Sequence, residues 1–322
     1  MAESASPRVL SLGSINVDRV YRLARTGLEA LTERPWFPER GATVAVESTP
    51  AVGLDPDAFH HGGKGANQAT AAAAAGTPTA MLSLVGPDHE EYGVVSRLET
   101  SDVAVAGIET VSAPTGTADV FVGPDGDTRI LVCPGANDAV GAEYIGAHYE
   151  TIAGADCLLL QNEIPVEPVA TLLERLGGER APPTVVLDPG PPEGVERLLE
   201  TGAVDYLTPN EQEAAVLGDL SGFYGTRVET HGSGPVVADG PDESFTVSPP
   251  SVDPVDATGA GDVLNGYLAA GLAAGDSLRE ALARAVAAAS RSTLVAGARA
   301  SVPDRRTVER FRTEQGPSVE AE

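Results

Sequence analysis

Apolar residues fall along the chain in short runs separated by polar, glycine- or proline-marked breaks, and the length of each run decides which element it predicts. Residues 9–12, VLSL, make a buried-strand run that stops at Gly13 and carries Ser14, Asn16 and Asp18 at its C-terminal end. Residues 22–60 hold Pro35, Pro38, Pro50 and Pro56 among scattered polar positions, a long excursion with one β-like stretch at 43–47. The Ala, Asn, Gln and Thr of residues 65–75 predict a tightly packed helix, closed by Gly76 and then Pro78, the usual stop order. A strand at 80–85 follows, and β-branched runs at 117–122 and 128–132 flank a Gly-Pro-Asp-Gly-Asp turn, which predicts a hairpin.

Further on, strand-like runs at 157–161, 184–188 and 206–208 alternate with helical stretches such as 168–176. Two more helices read at 262–275 and 277–296, and the tail after Thr307 reads as frayed. There is no internal repeat. Alternating strand and helix predicts an α/β fold, a mostly parallel central sheet with helices on both faces, and ligands in such folds gather at the C-terminal strand ends.

With 322 residues and 42% hydrophobic content, the chain is large enough for one packed α/β domain or two small ones. Its 47 acidic residues against 21 basic ones give a formal charge of -26, and no basic run offsets it. Such a field repels nucleic acid and anionic membrane, so neither is expected as a partner. Lys64 is the sole lysine; the remaining positive charge is arginine. Together with abundant alanine, this composition reads as that of a protein from a very salty cytoplasm, where screening makes acidic self-repulsion tolerable. One retained lysine then marks a place that needs a compact ammonium rather than a planar fork. Cys133 and Cys157 form no CxxC pair, the N-terminal stretch lacks a basic and apolar leader, and no apolar run reaches membrane-spanning length. A soluble, cytoplasmic protein is expected.

Two nucleotide signatures are missing. Lys64 follows Gly62 and Gly63 but precedes Gly65, so no GxxxxGK[ST] loop exists, and Gly259 and Gly261 lack the third glycine of GxGxxG. A different design is written in residues 256–262, DATGAGD, just before an apolar helix. Gly259 and Gly261 let another backbone approach, and free N–H groups at 260–262 would hold an anion at the helix start. Asp262 there suits a base that takes a proton from an attacking hydroxyl, and equally a carboxylate that satisfies the helix dipole.

The stretch VDATGAGDVLNG resembles the C-terminal signature of the ribokinase, or PfkB, family of carbohydrate kinases, and HGGKGANQA resembles its N-terminal one. The likeness runs on through GSINVD, VGPDHEEYG, LLLQNEIP, PNEQEA, THGSG and GARASVP. It implies a ribokinase-like fold with a small β lid made from parts of 19–60 and 107–133, which in relatives also joins two subunits and so predicts a homodimer. The resemblance makes Asp262 the base, with the Gly259, Ala260 and Gly261 turn holding charge on the transferring phosphoryl group. It places the sugar on Asn16, Asp18, Gly63, Lys64, Asn67 and Glu163, and the nucleotide on Asn210, Thr230, Gly232 and Gly234. It assigns Glu213, beside Asn210, to magnesium-bound water, although the same spacing is a helix-capping arrangement. Asp256, Thr258 and Ser301 match positions that hold a monovalent cation such as K+, whereas His60 and His61 read as loop residues rather than metal ligands.

The implied reaction moves the γ-phosphoryl of ATP, as its magnesium complex, to a primary hydroxyl of a ribose-like sugar: ribose, a ribose phosphate such as ribose 1-phosphate, or a nucleoside. Fructose and keto-deoxy sugars are the family alternatives. A sugar-binding regulator on the same fold is a rival that retention of Asp262 disfavours, and a dinucleotide-dependent dehydrogenase is disfavoured by the absent GxGxxG. Two departures stand out. Only SGFYGTRVE follows PNEQEAAVLGDL, so a peripheral helix near the adenine is lost, and the 22–60 stretch is long and arginine-rich. Arg19, Arg22, Arg25, Arg34 and Arg40 suggest a substrate that already carries a phosphate.

The charge excess sets a first test. The thermal midpoint should rise steeply from dilute buffer to molar potassium chloride, as the screening length falls from about 10 Å near 0.1 M to about 3 Å near 1 M. A flat midpoint in a calorimetric salt series would contradict the saline reading.

Overall fold

The computed structural model describes residues 7–220 and 222–321. Residues 1–6 of the N-terminal stretch, Ser221 of the short SGFYGTRVE connection and Glu322 of the tail lie outside the described residues. In chain order the strands are β1 (Val9–Leu12), β2 (Asn16–Arg22), β3 (Thr43–Ala45), β4 (Ala58–Gly62) and β5 (Thr79–Val85). Next come β6 (Val103–Thr110), β7 (Gly116–Val122), β8 (Thr128–Cys133), β9 (Cys157–Gln161) and β10 (Thr184–Asp188). The last are β11 (Tyr206–Leu207), β12 (Thr226–Glu229), β13 (Val236–Asp239), β14 (Ser244–Ser248) and β15 (Ser318–Ala321).

The larger sheet has the order β15-β14-β13-β12-β11-β10-β9-β1-β5-β6. Its pairs are parallel from β12 to β6 and antiparallel from β12 outward to β15. Strand alternation splits the core in two. Val9, Leu159 and Val186 face the helices Lys64–Ala74, Ala260–Ala274 and Leu278–Ser292, while Leu10, Leu12, Leu158, Leu160, Val185 and Leu187 face Val166–Leu176 and its neighbours. This is the expected α/β arrangement with helices on both faces.

A second sheet, ordered β3-β8-β7-β2-β4, stands apart from the first. The 117–122 and 128–132 runs form its antiparallel hairpin β7–β8. Asn16 and Asp18 lie on β2 of this sheet, not on an extension of β1, because the chain turns at Gly13–Ile15 between the two sheets. Residues 107–110, expected with the lid, belong to β6 and pair with β5 in the large sheet. His60 and His61, read as loop residues, sit in β4 opposite Asp18 and Val17.

The 22–60 excursion contains an unanticipated helix, Arg25–Thr32. Eight residues are too few for periodicity to announce a helix, but Leu28 and Leu31 share a face and pack with Trp36 and Phe37 over Tyr21 and Phe121 of the second sheet. The predicted helix at 277–296 ends earlier, at Ser292. Beyond it, the Thr293 carbonyl accepts N–H groups from Val255 and Asp256, so the chain leaves the helix to bind the DATGAGD loop.

The tail is not frayed. Asp304 caps a helix, Arg305–Gln315, through the Thr307 amide, and Val308 and Phe311 are buried three residues apart. The pairs Arg284–Glu309 and Arg312–Glu280 tie that helix to Leu278–Ser292, and β15 then closes the sheet edge beside β14. A polar sequence with only two apolar anchors conceals this. Removing one anchor should reveal it: Phe311→Ala should cost about 3 kcal/mol in urea unfolding. A loss below about 1 kcal/mol would place the terminal helix outside the cooperative core.

Candidate active site

The site lies where the C-terminal ends of β1, β9, β10 and β11 meet the starts of two helices. The Lys64–Ala74 and Ala260–Ala274 helices approach closely because their contact is built of small residues. A Cβ on Gly266 would lie 2.5 Å from both the Ala71 Cβ and the Gln68 carbonyl oxygen. That approach brings Asn67 and Gln68 onto Asp262. Asn67 Nδ2 donates to Asp262 Oδ2 at 2.9 Å, and Gln68 Nε2 donates to Oδ1 at 3.2 Å.

Gln68 also donates to Asp188 Oδ2 at 2.9 Å, and Asn265 adds a bond to the same oxygen at 3.1 Å. Gln161 Nε2 donates to Gln68 Oε1 at 2.7 Å, which fixes the Gln68 amide with its NH2 toward the two carboxylates. The other oxygen, Asp188 Oδ1, takes Lys64 Nζ at 2.8 Å and the Gly190 amide at 3.0 Å. Asp188, Gln68 and Asn265 were not singled out from the sequence. Asp188 ends an apolar strand run, and Gln68 and Asn265 stand within the two recognised signatures, so position at a strand end was the available signal.

Electrostatics follow from this packing. Burial pushes Asp262 up to about 7; Lys64 opposes that rise and Asp188 adds to it. Burial would lower Lys64, but Asp188, Asp262, Glu163 and Glu213 outweigh it and hold the ammonium firmly charged. A single compact cation thus serves four carboxylates arriving from different directions. Glu163 Oε2 meanwhile accepts the Lys64 backbone N–H at 3.0 Å and the Ser14 hydroxyl.

Across the gap stands the second sheet. Asn16 is buried, and its Oδ1 accepts from Asn137 Nδ2 at 2.8 Å. Asp18 is raised to about 7, chiefly by burial, with Arg299 lowering it and Glu163 raising it. Gly63 joins the two halves with φ +89°, and a Cβ there would lie 2.7 Å from the Ser14 carbonyl oxygen, so only glycine fits.

Asn210 and Glu213 form a complete capping box: the Asn210 side chain accepts from Gln212 and Glu213, and Glu213 Oε2 accepts the Asn210 N–H at 2.9 Å. Burial raises Glu213, Lys64 lowers it, and its Oε1 lies near Gly190 beside the Lys64 ammonium. Asn210 bridges to Thr230, and Gly232 (φ +58°) and Gly234 continue that loop. Between Leu217 and Thr226 no helix stands among the described residues, as the short connection implies. Asp256 accepts the Thr258 amide at 2.9 Å and the Gly297 amide at 2.8 Å; burial raises it, but these bonds leave it lowered. Ser301 N–H donates to the Gly297 carbonyl, so Asp256, Thr258 and Ser301 belong to one loop junction.

None of the five arginines that suggested a phosphate pairs with a site residue among the described residues. Arg19 alternates with Asp18 along β2 and makes a two-pronged pair with buried Asp119 at 2.6 and 2.8 Å. Arg40 lies 3.9 Å from Asp127, and Arg22, Arg25 and Arg34 are exposed with no ion pair among the described residues.

Residues 57–305 match the pfkB family of carbohydrate kinases. The chain belongs to that family. The chain is similar to the ribokinase of Bacillus subtilis, 35% identical over 259 residues, covering 77% of this chain and 86% of that protein. The crystal structure of Thermotoga maritima ribokinase aligns with a TM-score of 0.75 at 30% identity, covering 95% of this chain and 99% of the other. Arabidopsis thaliana ribokinase, solved with ribose and ATP, gives 0.75 at 27% identity, covering 95% and 98%. The protein is therefore a phosphotransferase acting on an alcohol group, on the family's α/β scaffold. No helix among the described residues is long and apolar enough to cross a membrane.

The kinase's buried acid gives a direct test. Followed by carboxyl-carbon NMR, Asp262 should change charge near pH 7. Asp188→Asn removes a neighbouring negative charge, so ionisation becomes easier and the midpoint should move to lower pH. An upward shift or none would break the assigned coupling.

Proposed function

We propose that this kinase transfers the γ-phosphoryl group of ATP to the primary hydroxyl of ribose. One observation carries this reading: Asp262, at the mouth of a helix N-terminus, is gripped by the side chains of Asn67 and Gln68, so its position is fixed before any ligand arrives. The sugar lies between Asn16 and Asp18 on one side and Asn67, Glu163 and Lys64 on the other. Asp262 takes the proton of the attacking hydroxyl as its oxygen bonds to the γ-phosphorus, the bond to the β-phosphate oxygen breaks, and ADP leaves. Pushed up to about 7 by burial, Asp262 holds a proton more tightly than an ordinary carboxylate and so is the stronger base.

Charge on the transferring group falls on the amides of Gly259 and Gly261 at the helix start, where Gly261 is exposed and open to a ligand, whereas the Ala260 amide, expected to be free, donates to the Ala257 carbonyl at 3.1 Å. Asn210, Thr230, Gly232 and Gly234 line the nucleotide side. Among the described residues no group of three or more metal-ligating side chains forms a cage. Magnesium keeps its waters and binds mainly through phosphates; Glu213, with one oxygen outside its cap, would hold such a water. Magnesium would supply neutralisation of phosphate charge. The Asp256, Thr258 and Ser301 junction, where Asp256 is held low by its hydrogen bonds and so stays charged, would hold K+.

The second sheet serves as the lid over the sugar. Its Tyr21 and Phe121 face is covered by the chain's own Arg25–Thr32 helix, which leaves the half-buried Val20, Val120 and Ile130 row for a second copy in a homodimer. The acidic surface suits work in a salty cytoplasm. Ribose is favoured over a ribose phosphate because the arginines that suggested phosphate are engaged or exposed elsewhere.

The test is a substrate panel with ATP in molar potassium chloride: ribose, ribose 1-phosphate, nucleosides, fructose and fructose phosphates. Ribose should give the highest kcat/KM, and Asp262→Asn should retain nucleotide binding while turnover falls about 100-fold or more. Turnover of Asp262→Asn near the wild-type value removes the base, and preference for another acceptor removes ribose.

A further inference from the structure

Arg299 lies in the GARASVP loop that folds back over the site, and it is 7% exposed. A guanidinium so deeply buried is stable only when its donors are used. Two are. Nε donates to Asn67 Oδ1 at 2.8 Å, and Nη2 donates to the Gly62 carbonyl. Nη1 is buried with no partner among the described residues. Burial lowers Arg299 to about 10, with Asp18 and Asp262 opposing, so it stays positive at neutral pH.

Both carboxylates act on Arg299 through space, yet neither is within ion-pair distance of it among the described residues. A free donor and an acceptor that attract without touching suit an atom that serves both. A hydroxyl oxygen does so, since it accepts one hydrogen bond and donates another. A phosphate dianion has no proton to donate to Asp18, and its charge would be repelled by the carboxylates of Asp18 and Glu163.

The contact with Asn67 adds a second role. An amide presents its oxygen or its NH2 according to its partners. Because Arg299 occupies Oδ1, the NH2 is left for Asp262. Reversed, the amide would set its oxygen against a carboxylate. The order Arg299, Asn67, Asp262 therefore runs donor to acceptor throughout.

We propose that Arg299 is a sugar-binding and positioning residue: its Nη1 donates to a neutral sugar hydroxyl that donates in turn to Asp18, while its Nε holds the Asn67 amide in the orientation that supports Asp262. This rests on the sugar-kinase reading of the site. It adds a recognition element specific for a hydroxyl, contributed by the GARASVP loop where it meets Gly62 at the end of β4.

The experiment compares wild type, Arg299→Lys and Arg299→Gln with ribose, 2-deoxyribose, 3-deoxyribose and ribose 1-phosphate, by initial rates and by calorimetric binding of ribose. Arg299→Lys keeps the buried charge, and hence the fold, but loses the fork; thermal midpoints verify this. Losing a hydrogen bond to a charged donor should raise the ribose KM and Kd about 10- to 100-fold in both variants, with the KM for ATP changed less than about 2-fold. One deoxy-sugar should show the same loss in wild type and almost no further loss in Arg299→Gln, which identifies the shared hydroxyl. Lowered kcat should accompany the KM change, reporting the loosened Asn67. Unchanged ribose affinity in an enzyme that phosphorylates ribose overturns the inference while leaving the kinase reading intact. Selective loss of ribose 1-phosphate, with ribose unaffected, overturns the hydroxyl assignment. A wild type that phosphorylates none of these sugars fails the kinase reading, and the inference falls with it.

Discussion

The close contact between the Lys64–Ala74 and Ala260–Ala274 helices governs the site. Gly266 against Ala71 and the Gln68 backbone leaves no room for a side chain, and only at that spacing can two neutral amides reach one carboxylate. Both helices rest on the same face of the sheet through Ala72, Val263, Tyr267 and Leu268, so the apolar core sets the separation. Position at the reacting centre is thus inherited from packing rather than from flexible loops. A larger residue at Gly266 would act on the chemistry without touching a ligand.

What packing brings together, charge has to tolerate. Asp262, Asp188, Glu163 and Glu213 all act on Lys64, and Asp188 takes its ammonium directly at 2.8 Å. A compact ammonium serves several carboxylates at once, whereas a planar fork would commit to one edge. This accounts for a chain that uses arginine everywhere else yet keeps a lysine here. The second cation, Arg299, is a fork because its neighbours are fixed amide and carbonyl oxygens that lie in defined directions. Two cations in one cleft differ in type because the groups around them differ in geometry.

How much of this was legible depended on the range of the interaction. Strand runs, the hairpin and the helix after DATGAGD declare themselves within a few residues, and the structure has them within one or two positions at most ends. The Arg305–Gln315 helix was missed because two buried anchors and a set of distant ion pairs hold it, none visible in local composition. The assignment of 107–110 to the lid failed because β6 is chosen by its partner β5. In the site, Asn16, Asp18, Lys64, Asn67 and Asp262 were marked by their motifs, and the structure gathers them. Asp188 and Arg299 are 124 and 235 residues from Lys64 in sequence terms, and only the folded sheet and the returning loop bring them in. The arginine cluster misled for the opposite reason: proximity in sequence to Asp18 was read as proximity in space, although alternation along β2 puts Arg19 on the other face.

The same alternation explains how the second sheet is stiffened without obstructing the site. Odd positions of β2, with Tyr21 stacked 5.1 Å from Phe121, carry the apolar cluster under Trp36, Phe37 and Leu31, while the even positions Asn16 and Asp18 remain for a ligand. The long 22–60 excursion is therefore not an addition to the binding surface but a second core for a thin sheet, which on its own would have one bare apolar face. Bidentate pairing of Arg19 with Asp119 belongs to that core, since it ties β2 to β7 across their register. Gly63 joins this braced sheet to the rest of the fold through a positive φ that no other residue adopts at that spacing. Asn16 and Asp18 are thereby fixed relative to each other by the sheet, independently of the helix contact that positions Asp262.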